Sequence, residues 1–114
     1  MNMANKFKND SIESYYDNVR GKKAEIAVIT WMQNSKYNNI LITKDLNDGK
    51  LILDDAESCI WRLIFDNYSN IEQIIDAAMK KGIEHNIAVM ILKSFIDEGI
   101  VIVVPKNIWE DEDV

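Results

Sequence analysis

Hydrophobic positions follow a strand-like pattern between residues 24 and 54. The segment 24–33, AEIAVITWMQ, is apolar and β-branched on both faces, which predicts one covered strand, although its register after Gly21 leaves a helix open. The segments 38–46 and 50–54 flank the sequence Asn-Asp-Gly, and an Asp-Gly pair supplies the positive φ of a tight turn. This part of the chain therefore predicts an antiparallel sheet that contains a hairpin.

A helical period replaces the strand-like pattern after the hairpin. Asp54 or Asp55 can accept hydrogen bonds from the free N–H groups of a first helical turn, where the helix dipole also favours a carboxylate. The helix that follows has a core stripe with two flanking aromatic residues: Cys59, Ile60, Leu63 and Ile64, flanked by Trp61 and Phe65. We expect the aspartates to cap this helix and not to perform catalysis, because no second catalytic group lies near them.

Two further helices and a last strand are predicted before Pro105. Ser69 and Glu72 have capping-box spacing, and Gly82 is a C-terminal stop. The helix between them has apolar residues at helical spacing: Ile71, Ile74, Ile75, Ala78 and Met79. The third helix, within 84–98, ends at Gly99, and the strand IVIVV follows.

The third helix has more apolar surface than one core face needs. A first stripe, predicted to face the core, consists of Ile87, Ala88, Ile91 and Phe95. A second stripe beside it consists of Val89, Leu92 and Ile96. Two interpretations stay open for the second stripe: it packs on the N-terminal segment, or it lines a groove for a partner.

Helical spacing also predicts a short amphipathic helix near the N-terminus, formed by Ile12, Tyr15, Tyr16 and Val19. We therefore divide the chain into an N-terminal extension (1–23), a single domain (24–104) and an acidic tail (105–114). A length of 114 residues suits one core.

Composition excludes several classes of protein. No apolar run approaches the roughly 18 residues of a membrane span, the N-terminus lacks a secretory signal, and one cysteine cannot form an internal disulfide. These features predict a cytoplasmic protein. The sequence also has no metal, nucleotide or catalytic motif, and Cys59 and His85 are isolated. We therefore expect no enzymatic activity, no cofactor, no metal site and no catalytic residue.

Three segments resemble the PqqD-like family, the leader-peptide recognition domains of ribosomally synthesised, post-translationally modified peptide pathways. They are GKLILDDAESCIWRLI, NIEQIIDAAM and VMILKSFIDEGIV, and the resemblance covers roughly residues 24–104. It implies an α+β, winged-helix-like fold with a small antiparallel three-stranded sheet packed on a three-helix bundle. Asn67, where relatives often carry glycine, and the long N-terminal segment depart from the family pattern.

The resemblance implies a non-catalytic adaptor that binds the leader of a precursor peptide as an added strand and presents it to a maturase, a radical-SAM or other tailoring enzyme. The implied peptide-binding residues lie on the strand at 50–53 and on the third helix, where they are the second stripe together with Lys93: Lys50, Leu51, Ile52, Leu53, Val89, Leu92, Lys93 and Ile96. Ladder hydrogen bonds and buried anchors of this kind predict a low micromolar to high nanomolar Kd. The edge strand also leaves homodimerisation open.

The alternative function is a winged-helix transcriptional regulator whose third helix enters the DNA major groove. Charge argues against it, because most of the net charge of −6 lies in residues 54–104 and would repel phosphates. Nucleic acid and membrane are therefore not expected as partners.

Overall fold

A computed structural model describes residues 3–27, 29–34, 36, 39–43, 50–66 and 70–105. Its helices and strands follow in chain order: α1 (Met3–Val19), β1 (Lys23–Ile26), β2 (Thr30–Gln33), β3 (Ile40–Thr43), β4 (Lys50–Ile52), α2 (Asp55–Phe65), α3 (Ile71–Lys80), α4 (His85–Asp97) and β5 (Val101–Val104). The predicted turn at 47–49, Asn67, Ser69 and residues 106–114 of the acidic tail lie outside the described residues.

The predicted fold class is confirmed: the chain is α+β, with a small antiparallel three-stranded sheet packed against helices. This sheet has the strand order β2-β3-β4, and all its pairs are antiparallel. A second antiparallel pair, β1 with β5, joins the first strand of the chain to the last. The predicted hairpin is confirmed, because β3 and β4 pair with Leu41 opposite Ile52.

The predicted single strand over 24–33 is wrong. The chain divides there into β1 and β2, which belong to different sheets. The reason is that the partner strands differ: Ile26 pairs with Val101 near the end of the chain, whereas Trp31 pairs with Ile42 in the next strand.

Local signals determine where the helices begin and end. Asp54 caps α2: its side chain accepts from the N–H of Glu57, whose carboxylate accepts from the N–H of Asp54 in return. The cap of α3 is Asn70, one residue after the predicted Ser69, and its side chain accepts from the N–H of Gln73 at 2.9 Å. Gly82 and Gly99 follow α3 and α4 with positive φ, as C-terminal stops do.

One apolar core joins the sheets to the helices. Its largest side chain is Trp61, which is fully buried and makes edge-on ring contacts with Trp31 and Phe95, with ring centroids 5.7 and 5.5 Å apart. The predicted stripe of α2 is therefore corrected: Trp61 faces the core, whereas Cys59 is half-buried. A fully buried indole removes more apolar surface from water than a cysteine would.

Helix α1 is longer than the predicted short helix and is tied to the domain at its C-terminal end. It packs on α4, and the turn after it supplies the backbone carbonyls of Arg20 and Lys22 to the first N–H groups of α3. The guanidinium of Arg20 also donates to the carboxylate of Glu72 at 2.6 Å. The N-terminal segment thus completes the start of α3.

Candidate peptide-binding edge

Strand β4 is an edge strand, because no strand of the described residues lies beside it opposite β3. The N–H of Leu53 donates to the carbonyl of Ile40, which directs the backbone groups of Leu51 and Leu53 towards β3. The intervening residues, Lys50 and Ile52, therefore direct their N–H and C=O groups away from the sheet. An edge of this kind can accept another extended chain.

The end of β4 is fixed to α2 by buried polar contacts. The hydroxyl of Ser58, a buried side chain, accepts from the N–H of Ile40 at 3.0 Å and donates to the carbonyl of Leu53 at 3.3 Å. The side-chain amide of Asn39 donates to the same carbonyl at 2.9 Å. These bonds hold the end of β4 in register with β3.

The outer face of the three-stranded sheet carries two chemically distinct rows. Directly opposite residues of antiparallel strands point to the same face. One row is apolar and consists of Met32, Leu41 and Ile52. The other row is polar and consists of Thr30, Thr43 and Lys50. Met32 is 59% exposed and Ile52 is 70% exposed, so the apolar row faces solvent.

Sequence reasoning found only the Lys50 and Ile52 ends of these rows. Their other members depend on the register of β2, which the predicted continuous strand over 24–33 concealed. Alternation within β2 was a usable signal, because Met32 lies two residues from Thr30 on the same strand face. This alternation predicts the two rows only if β2 is recognised as a strand separate from β1.

The predicted groove on α4 is wrong for Val89 and Leu92. Both side chains are fully buried in the core, and Ile96 is half-buried against it. Leu53, also a predicted site residue, is 1% exposed. The first predicted stripe is wrong in part, since Ile87 is 46% exposed whereas Ala88 and Phe95 are buried.

Contacts with helix α1 explain why the buried face of α4 differs from the predicted one. The ring of Tyr16 makes an edge-on contact with His85, and the ammonium of Lys93 lies 5.6 Å from the ring centroid of Tyr15. Lys93 also forms an ion pair with Asp97 at 2.7 Å. The second stripe is therefore covered on the α1 side, which agrees with the first of its two interpretations.

Burial at this contact changes the acidity of both tyrosines. Removal from water raises the pKa of Tyr15, and the negative charge of Asp97 raises it further. Burial likewise raises the pKa of Tyr16, and Glu72 adds to this effect while Arg20 opposes it. Both tyrosine hydroxyls therefore stay neutral around pH 7.

The exposed surface of α4 gives no support to the DNA-binding alternative. Its exposed residues include Ile87, Met90, Ser94 and Asp97. Phosphate recognition requires lysine or arginine side chains directed at the nucleic acid, and Lys93 on this helix is paired with Asp97.

Within the described ranges, no cluster of three or more histidine, cysteine, aspartate or glutamate residues could hold a metal ion. Over the same ranges, no helix combines the length and the apolar character that crossing a bilayer requires.

No protein-family model, curated protein or solved structure matches this chain.

Proposed function

We propose that this protein is a non-catalytic adaptor that binds an extended segment of another polypeptide as a strand added to β4. The supporting observation is the outer edge of β4, where Lys50 and Ile52 direct their backbone groups away from β3. In this proposal the bound segment is the leader of a ribosomally made precursor peptide, and the adaptor presents it to a modifying enzyme. The resemblance of the sequence to PqqD-like domains supports that choice of ligand.

Burial of the α4 stripe changes the expected strength of binding. Val89 and Leu92 cannot act as apolar anchors for a peptide while they lie in the core. Ladder hydrogen bonds contribute only about 1 kcal/mol each, and association itself costs several kcal/mol. We therefore expect the isolated adaptor to bind more weakly than the low micromolar range, with further contacts supplied by the modifying enzyme.

The test is a titration of the isotopically labelled full chain with the leader segment of a precursor peptide encoded beside its gene. Binding is measured from amide chemical shifts, which report millimolar as well as tighter affinities. We expect the largest shifts at Lys50 and Ile52. Shifts confined to α3 would contradict strand addition.

Two variants at one position separate backbone from side-chain contributions. Ile52→Pro removes the outward N–H donor, whereas Ile52→Thr keeps the donor and removes the apolar side chain. We expect the proline variant to bind up to about tenfold more weakly than the threonine variant. Equal affinity of the two folded variants, with folding checked by circular dichroism, would overturn the proposal.

A further inference from the structure

The two rows on the outer face of the sheet both end at the free edge of β4. The apolar row ends with Ile52 and the polar row ends with Lys50, two residues earlier on the same strand. A strand added at this edge would place two of its own side chains beside these two. Cross-strand neighbours of this kind interact directly, because their Cβ atoms lie about 5 Å apart.

We propose that the bound strand runs antiparallel to β4 and carries an apolar residue opposite Ile52 and, two residues later, an acidic residue opposite Lys50. This inference rests on the proposed strand addition and specifies which peptide sequence that edge selects. The preferred ligand therefore contains the pattern apolar-X-acidic in an extended segment.

The apolar half of the pattern follows from exposure. Ile52 is 70% exposed at the end of a row that continues through Leu41 to Met32, so a β-branched or aromatic neighbour would cover the open side of Ile52. The residue between the two selected positions points to the opposite face, next to Leu51, which is already half-buried. Selection is therefore expected at alternate positions.

The acidic half follows from local charge and opposes the charge of the whole molecule. A net charge of −6 repels acidic peptides in general. Lys50 is exposed and the other two members of its row, Thr30 and Thr43, are uncharged, so Lys50 supplies the charge of that row. A preference for an acidic peptide over a basic one would thus identify local contact and not overall attraction.

The antiparallel direction is the one that the existing strand pairs of this sheet adopt. All pairs in the sheet are antiparallel, and in an antiparallel pair an outward residue exchanges both of its hydrogen bonds with one residue of the new strand. Lys50 and Ile52 then each pair with a single peptide residue, which fixes the order of the apolar and acidic positions.

The test uses four capped nine-residue peptides of serine and threonine whose central residues are Ile-Thr-Glu, Ile-Thr-Lys, Thr-Thr-Glu or Glu-Thr-Ile. Dissociation constants are obtained from amide shifts of the full chain at millimolar peptide concentration. We expect Ile-Thr-Glu to bind tightest, with each single replacement weakening binding about two- to fivefold. In Lys50→Glu the order of Ile-Thr-Glu and Ile-Thr-Lys reverses.

Lys80→Glu is the matched control, because it makes the same charge change at an exposed position on α3. It should leave the order of the peptides unchanged. Equal affinity of the glutamate and lysine peptides, or the same reversal in Lys80→Glu, would overturn the inference while leaving strand addition intact. Tighter binding of Glu-Thr-Ile would overturn the antiparallel register. Failure of all four peptides to bind, under conditions in which the leader segment shifts the amides of Lys50 and Ile52, would overturn the inference alone.

Discussion

The side chain of Tyr15 combines a packed ring with a buried hydroxyl that forms no hydrogen bond among the described residues. Its ring lies near Lys93 at the contact between α1 and α4, while its hydroxyl is buried without a hydrogen-bond partner among the described residues. A buried hydroxyl without a partner loses its hydrogen bonds to water and gains none in return. The ring of Tyr15, and not its hydroxyl, therefore stabilises this contact.

We predict that Tyr15→Phe keeps or raises the free energy of unfolding, by up to about 1 kcal/mol, because it removes that unpaired hydroxyl. The measurement is urea unfolding at pH 7. A loss of 1 kcal/mol or more would mean that the hydroxyl has a partner.

The same variant has a pH signature. Folding raises the pKa of Tyr15, so the neutral hydroxyl favours the folded state. Its contribution to the free energy of unfolding is fully present below the unfolded pKa near 10 and is lost as the pH rises through the folded pKa. Unfolding measured between pH 9 and about 11.5 should therefore show a smaller loss of stability in Tyr15→Phe than in the unchanged chain. Identical pH profiles would contradict the burial of this hydroxyl.

At the scale of elements, Ser58 is the polar link between the sheet and α2. Its hydroxyl bonds both Ile40 in β3 and Leu53 after β4. We predict that Ser58→Ala lowers the free energy of unfolding by about 1–3 kcal/mol, because the N–H of Ile40 loses its partner in a buried setting. Ser94→Ala, at an exposed position on α4, is the control and should change stability by less than about 0.5 kcal/mol.

Leu92 tests which face of α4 is buried. It is fully buried, so Leu92→Ala should lower the free energy of unfolding by about 2–5 kcal/mol, because apolar burial is lost and a cavity remains. Met90 is 51% exposed on the same helix, so Met90→Ala should lower the free energy of unfolding by less than about 0.5 kcal/mol. Thermal and urea unfolding measure both. Leu92→Asp, at a predicted peptide-binding residue that is buried, is expected to unfold the protein. Similar costs for both alanine variants would contradict the orientation of α4.

Sequence patterns predicted the features that depend on neighbouring residues. The cap at Asp54 and the stop at Gly82 each follow from hydrogen bonds or backbone angles within one helical turn. The division of 24–33 into two strands was not predictable in this way, because the apolar run gives no local break and only the distant β5 selects Ile26 as a partner.

The candidate site was predictable in its strand and not in its helix. Lys50 and Ile52 lie at the predicted edge because alternation along β4 and its pairing with β3 fix their direction. On α4, apolar residues cover most of the circumference, so its sequence periodicity alone could not choose the buried arc. The packing of α1 beside Lys93 made that choice, and no local signal encodes a contact between segments so far apart.

At the scale of the whole molecule, the N-terminal helix belongs to the packed structure. Val19 is 5% exposed, and the rings of Tyr15 and Tyr16 pack against the core cluster. We predict that deleting residues 1–19 lowers the free energy of unfolding by at least about 2 kcal/mol, since Val19 alone contributes about that amount by burial. Urea unfolding of the shortened chain, which retains Arg20 and Lys22 to cap α3, measures the effect. Unchanged stability would show that 24–104 folds without this helix.

The pairing of β1 with β5 joins residues about 80 positions apart. During synthesis, β1 therefore stays unpaired until β5 has left the ribosome. Throughout that interval the apolar run from Ile26 to Trp31 is available to chaperones and to other nascent chains. The protein thus completes this strand pair only after translation has passed Val104.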